Sequence, residues 1–392
     1  MIDFQIPEET RLLVDTVRRF IETEVQPLEE EMEAGEGLAP EVLADLKAKS
    51  IGLGLFAMNM PAEVGGGGLS AVEMCLVEEQ LGKTTEALIR NIFGQVYEML
   101  TACRGRQREE YLFPSVRGER ICAFGITEPE AGSDAASIRT TAVRDGDDYV
   151  LNGSKHFISD GDIADFAVVM ALTNPEKRAR GGITLFLVDR DSPGYRVGRV
   201  QPMMGHLGCN HAELVFENCR VGADKVLGEP GEGFRLIMST VSRVRLAHIG
   251  ARSVGMASRV LELARRHAAE RRQFGQPIGE FQMVQKMLAD MATDIFAARM
   301  MILNTAWELD QGRDPRDKLS MVKVYASEMM NRVADQGIQI FGGMGWCKEL
   351  PLERVYRDSR VLRIYDGTSE IHRMLIARSL LRNGFALEGD HV

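Results

Sequence analysis

Four short stretches combine hydroxyls, cations and glycines in ways a simple turn does not require. Ile126-Thr127-Glu128-Pro129-Glu130-Ala131-Gly132-Ser133-Asp134 follows a strand-like run and offers hydroxyl and backbone N–H donors. Arg271-Arg272-Gln273-Phe274-Gly275 sets cations beside an aromatic at a helix end. Gln339-Ile340-Phe341-Gly342-Gly343-Met344-Gly345 closes a helical pattern with glycines that permit close backbone approach to a ligand. Ile364-Tyr365-Asp366-Gly367-Thr368-Ser369-Glu370 leaves an Arg-rich helix and opens another, with Thr368 or Ser369 as N-cap. Together they point to one large ligand that draws on β and helical segments.

Other chemistries fit less well. Gly52-Leu53-Gly54-Leu55-Phe56-Ala57 matches a dinucleotide fingerprint, but that motif needs a strand before it. Here a charged amphipathic helical run, Glu41 to Ser50, comes first, so Gly52 reads as a helix stop. His206, Cys209 and His211 crowd together without a fourth ligand at fixed spacing, and loop polarity explains them without a metal. No G-x-S-x-G elbow and no H-E-x-x-H occurs.

These stretches need elements to hold them. The chain has 392 residues, 45% hydrophobic and 27% charged, enough for two or three domains with ample core. Net charge is −10, against general nucleic-acid binding. It divides unevenly: −11 over residues 1–119, −3 over 120–228 and +4 over 229–392, so the last third suits a phosphate-bearing ligand. The six cysteines form no CxxC pair and suit free thiols in a reducing compartment. The amino-terminal residues show no targeting pattern and no run is long enough to span a membrane, so a cytoplasmic location is expected.

Periodicity changes where the charge does. Helical spacing (Leu12, Leu13, Val17, Phe20, Ile21) holds to about Arg117. From Ile121 to Val226 short β-rich runs appear, such as Ile183 to Val188, with Asp145-Gly146 and Asn152-Gly153 as turn signals. Long helical patterns return from Gly233, with Met283, Met287 and Met291 at spacing four, read as core packing. The expectation is a mainly α protein with a central β domain: 1–119 helical, 120–228 β, 229–392 helical.

In order and spacing the motifs resemble the acyl-CoA dehydrogenase family over nearly the whole chain. Beyond the stretches above, Asn152-Gly153-Ser154-Lys155-His156-Phe157-Ile158-Ser159 and Gly231-Glu232-Gly233-Phe234 carry the likeness. The resemblance implies an N-terminal helical domain, a β-barrel-like middle domain and a C-terminal four-helix bundle. It also implies noncovalent FAD, a homotetramer, and electron transfer to an electron-transfer flavoprotein, in fatty-acid metabolism. By the same resemblance, Phe124, Ile126, Thr127, Phe157, Ile158 and Ser159 line the flavin ring. Arg271, Phe274 and Gln282 meet the FAD pyrophosphate and adenosine, Gln339 and Gly343 reach the FAD of a neighbouring subunit, and Thr368 and Glu370 complete the site. Ser133 touches the CoA moiety, Tyr365 and Gly367 flank the substrate, and Arg245 meets pantetheine or phosphate, with Arg243 also near that register.

The chemistry implied is removal of a thioester α-proton by a carboxylate, with the carbonyl polarised by a backbone N–H beside the base and a flavin hydroxyl, while flavin N5 accepts the β-hydride. The base must be partly desolvated so that its pKa rises toward working pH. Asp366 stands where most relatives carry glutamate, and residues 234–261 contain no Asp or Glu to serve instead. Asp366 is therefore the expected base, the alternative being a residue that only orders the turn. Aspartate here also occurs in relatives acting on nitroalkanes as oxidases and on alicyclic acyl-CoA thioesters, which leaves a flavin oxidase as the alternative activity. A DNA-contacting relative would want a basic tail, and this chain ends Gly389-Asp390-His391-Val392.

Overall fold

The computed structural model describes residues 5–33, 37–94 and 96–384; Met1–Phe4 and the tail Gly389–Val392 lie outside the described residues. Two compact units form. One draws on the described residues of Met1–Thr23, Ser70–Thr84 and Ser242–Val392, the other on Glu24–Leu69 and Thr85–Val241.

The second unit is built on a mixed sheet. Its strands are β1 (Cys122–Gly125), β2 (Thr141–Asp145), β3 (Asp148–Ser159), β4 (Phe166–Leu172), β5 (Ile183–Asp189), β6 (Tyr195–Val200), β7 (His211–Gly222) and β8 (Val226–Leu227). The order is β6-β7-β3-β2-β4-β5-β8, with β1 parallel to β4. Strand alternation sorts β4 into two cores. Phe166, Val168 and Met170 join Tyr111, Leu112 and Ile237 on one side; Ala167, Val169 and Ala171 join Phe186, Leu214 and Phe216 on the other. A strand covered on both faces reads as an unbroken apolar run, as Phe166 to Leu172 does.

Two expectations are corrected here. Barrel-like closure is not found: among the described residues the ladder runs open from β6 to the two-residue β8. Asn152-Gly153 is not a turn. Asp145 pairs with Asp148 across Gly146, which makes the hairpin there, while Gly153 sits inside β3 at a register shift with φ 146°. A Cβ on Gly153 would lie 2.5 Å from Thr140 Oγ1, so only glycine lets the strand pass.

The other unit is helical: Glu8–Phe20, Ala71–Leu81, Arg252–Glu270, Gln282–Asp310, Arg316–Phe341, Leu352–Ser359 and Ser369–Asn383. Val254, Val260, Met291, Ile302, Val322, Met329 and Val333 are buried in its core, each large side chain contributing roughly 1.5–3 kcal/mol. Of the methionine stripe, Met291 is core and Met287 packs against it, but Met283 is exposed. The Ala71–Leu81 helix starts in a capping box of Ser70 and Glu73, and Asp310 accepts from Ala71 N at 2.7 Å and Val72 N at 3.1 Å. A Cβ on Gly255 would strike Glu79 O at 1.9 Å, so that helix and Arg252–Glu270 meet backbone to backbone. Glu78, buried, pairs with Arg252 and lies 3.1 Å from His248 Nε2. Burial works against its charge, but Arg252 and the contact with His248 hold its carboxyl down at about 2.

Candidate functional site

In the sheet unit a buried ion pair ties two of the singled-out stretches together. Lys155 Nζ, fully buried, lies 2.7 Å from Glu128 Oε1 and donates to Ile126 O at 3.1 Å. Glu128 also accepts from Arg139 N at 2.6 Å and Thr140 N at 3.0 Å. Burial pulls the Lys155 ammonium down to about 8 against the pull of Glu128, while Lys155 and the N–H donors hold the Glu128 carboxyl low despite its own burial. His156 N donates to Thr127 O at 2.8 Å, so Ile126-Thr127 is pinned to β3 at two points.

That pinning organises a presented face. Between Lys155 and Ile158 the β3–β7 register slips, and Phe157 takes φ 60°. The bulge turns Phe157 outward, 50% exposed and stacked on His156 with ring centroids 4.2 Å apart. Ile158 is buried in the sheet core, so its side chain is structural and only its backbone is left for a ligand; Ser159 is half-buried. Phe124, on β1 opposite Val168, stands 5.4 Å from the Tyr97 ring. Ser133 is exposed in the loop after the tight Glu128–Ala131 turn.

In the helical unit, Arg271 ends the Arg252–Glu270 helix, and Gln273 pairs with Gln276 around a two-residue turn. Phe274 (φ 50°) and Gly275 (φ 82°) both take left-handed backbone, the geometry of a type I′ hairpin. This holds the Phe274 ring in the open, 95% exposed. Arg271 and Gln282 are exposed, as are Gln339 and Gly343 at the end of Arg316–Phe341. Arg265 and Arg266, in the last turns of the same helix, pair with Glu262.

Asp366 lies in a second left-handed turn, φ 53°, followed by Gly367 at φ 94°. Thr368 Oγ1 caps the Ser369–Asn383 helix by accepting from Ile371 N at 3.2 Å. Arg245 Nε donates to the Asp366 carbonyl oxygen at 2.8 Å, and His372 Nε2 lies 3.2 Å from the same oxygen. Burial draws the Arg245 guanidinium down and Asp366 pulls it back. Asp366, Gly367 and Thr368 are half-buried, Tyr365 and Glu370 exposed. Arg245 thus stands at this turn, and Arg243 is exposed.

Sequence reasoning missed what Lys155 and His372 contact; only their place inside or beside the motifs hinted at them. The dinucleotide fingerprint fails structurally, since the helix Pro40–Gly52 stands where a strand is needed. Cys209 is buried, and its carbonyl lies 3.1 Å from His211 Nδ1, which gives this trio a local structural role. Among the described residues, no helix is long and apolar enough to cross a membrane.

The family models for the acyl-CoA dehydrogenase N-terminal, middle and C-terminal domains match residues 7–119, 123–219 and 231–381. The chain is 38% identical to acryloyl-CoA reductase (NADH) of Anaerotignum propionicum, covering 97% of this chain and 96% of that protein. Butyryl-CoA dehydrogenase from Megasphaera elsdenii superposes with a TM-score of 0.88 at 32% identity, covering 97% of this chain and 100% of that one. The FAD complex of PigA gives 0.89 at 28% identity, covering 97% and 99%.

Proposed function

Because the chain belongs to the acyl-CoA dehydrogenase family of FAD-dependent enzymes, we propose that it catalyses α,β-dehydrogenation of an acyl-CoA thioester with Asp366 as the base. The observation that carries this is the Asp366 turn: left-handed backbone, with its carbonyl oxygen held by Arg245 and facing His372. That constraint sets the direction in which the carboxylate leaves the backbone, as a base with one direction of attack requires.

The residues present suit FAD. Phe157 and Phe274 are large apolar rings held out by positive-φ backbone, a costly exposure that a planar cofactor would cover. Phe124, Ile126, Thr127, Phe157, Ser159 and the Ile158 backbone would hold the flavin ring. Arg271, Phe274, Gln282, Thr368 and Glu370 would hold the remainder, with Gln339 and Gly343 serving a neighbouring subunit. Bound there, FAD supplies a two-electron acceptor for the β-hydride.

The chain's own residues do the rest. Asp366 takes the α-proton, and the backbone N–H beside it is offered to the thioester carbonyl, where negative charge develops. Ser133 and Arg245 orient the CoA portion, and Tyr365 and Gly367 border the acyl group. Read in reverse, Asp366 returns the α-proton, so the electron partner sets the net direction. We take that partner to be an electron-transfer flavoprotein and the assembly to be a homotetramer, the latter supported by exposed Trp346, Met283 and Phe296 on the helical unit. Anaerobic mixing with butyryl-CoA should bleach the flavin; bleaching by a nitroalkane and not by any acyl-CoA would overturn the proposal.

A further inference from the structure

Two buried side chains near the Asp366 turn, His372 and Lys323, each carry a nitrogen with no hydrogen-bond partner among the described residues. His372, fully buried, faces a carbonyl oxygen through Nε2. A carbonyl can only accept, so Nε2 carries the proton and Nδ1 carries a lone pair. Nδ1 has no hydrogen-bond partner among the described residues. Lys323, on the Arg316–Phe341 helix, is also fully buried, and its Nζ has no partner either. One orphan is an acceptor and the other a donor, on two helices that pack together.

Such orphans are costly apart and cheap together. A buried polar atom left unmade forfeits its hydration, and native proteins settle such groups on a partner or an ordered water. One water can accept from an ammonium and donate to an imidazole nitrogen. The charged groups around Lys323 are Asp366, Arg245, Glu370 and Arg363. Those around His372 are Arg245 and Lys323, which together with burial hold the imidazole down at about 4, so it is neutral at pH 7. A neutral ring has two tautomers, and only one serves Asp366.

Taking Asp366 as the base, we propose that Lys323 is a positioning residue: through one ordered water its ammonium donates to His372 Nδ1 and fixes the Nε2–H tautomer that donates to the Asp366 carbonyl oxygen. His372 and Arg245 then hold that oxygen from two sides. Gly367 belongs to the same device, since a Cβ there would lie 2.8 Å from His372 Nε2.

The test uses holoenzyme labelled with 15N in its seven histidine rings. The His372 signals are identified by their absence in His372→Gln. In the unsubstituted protein Nε2 should be protonated and Nδ1 should show the shift of a hydrogen-bonded lone pair, unchanged from pH 7 to pH 6. An Nδ1–H tautomer, or a lone pair without a hydrogen bond, overturns the proposal without any variant having to fold. In Lys323→Met the hydrogen-bonded shift should vanish and the tautomers mix. Anaerobic flavin reduction by butyryl-CoA should then slow about 10-fold, with its acid limb moved to higher pH because a cation near Asp366 is gone. Lys323→Gln keeps an N–H donor and should restore the tautomer but not the limb. Unaltered His372 signals in Lys323→Met overturn the relay. Failure of the base reading is distinguishable: Asp366→Asn would then reduce at the unsubstituted rate while the His372 signals still answered to Lys323.

Discussion

Arg245 reaches the backbone of Asp366: Nε donates to the carbonyl oxygen at 2.8 Å across 121 residues of sequence. The guanidinium thereby fixes where the Asp366 side chain starts. Arg245→Lys keeps the charge but loses the planar donor. Flavin reduction by acyl-CoA should fall roughly 10–100-fold with flavin content unchanged, the loss expected for one charge-assisted bond. Stopped-flow absorbance checks it, and an unchanged rate would separate the turn from catalysis.

The Glu128–Lys155 pair should matter more to stability than a surface pair. Glu128→Gln strands a buried ammonium and should cost about 3–5 kcal/mol in urea unfolding. Pairing it with Lys155→Met should recover a good part. The pH dependence has a defined sign. Lys155 is lowered from its ordinary value to about 8, so between about 8 and that value the unfolded chain binds the extra proton and raising pH stabilises the fold. Glu128 is lowered, so its contribution is present above the ordinary carboxylate range and is lost as pH falls through its depressed value. Thermal melts of the two single variants should each lack one of these slopes.

Arg271→Ala should yield a folded helical protein that loses FAD on purification. A guanidinium offers pyrophosphate two charge-assisted bonds, and Arg271 is exposed, so its removal leaves no cavity. Flavin absorbance per protein and far-ultraviolet circular dichroism measure the two parts. Full flavin occupancy would assign Arg271 to the solvated surface.

What the sequence showed and what it hid divide along a physical line. Local backbone chemistry was legible: Gly146 in a hairpin, Phe274-Gly275 at a helix end, Thr368 as a cap. The apolar run Ile183 to Val188 announced a strand, and it forms β5. Asn152-Gly153 misled because a bulge and a turn ask for the same residue types, and only the β3–β7 register tells them apart. Lys155 with Glu128, and Lys323 with His372, were invisible because their meaning lies in burial and partners 27 and 49 residues away. A lysine on a helix reads as surface until the fold covers it. Ile158 was legible as part of a motif, but not that its side chain belongs to the core.

The claim on which the rest depends is that Asp366 takes the α-proton. Asp366→Asn keeps the shape of the side chain and leaves the carbonyl contacts of Arg245 and His372 intact. It should retain FAD and still perturb the flavin spectrum on binding butyryl-CoA. Anaerobic flavin reduction should fall by at least about 10²–10⁴-fold, the ordinary worth of a general base. Reduction of flavin in Asp366→Asn at near the unsubstituted rate would contradict the account and place the base elsewhere.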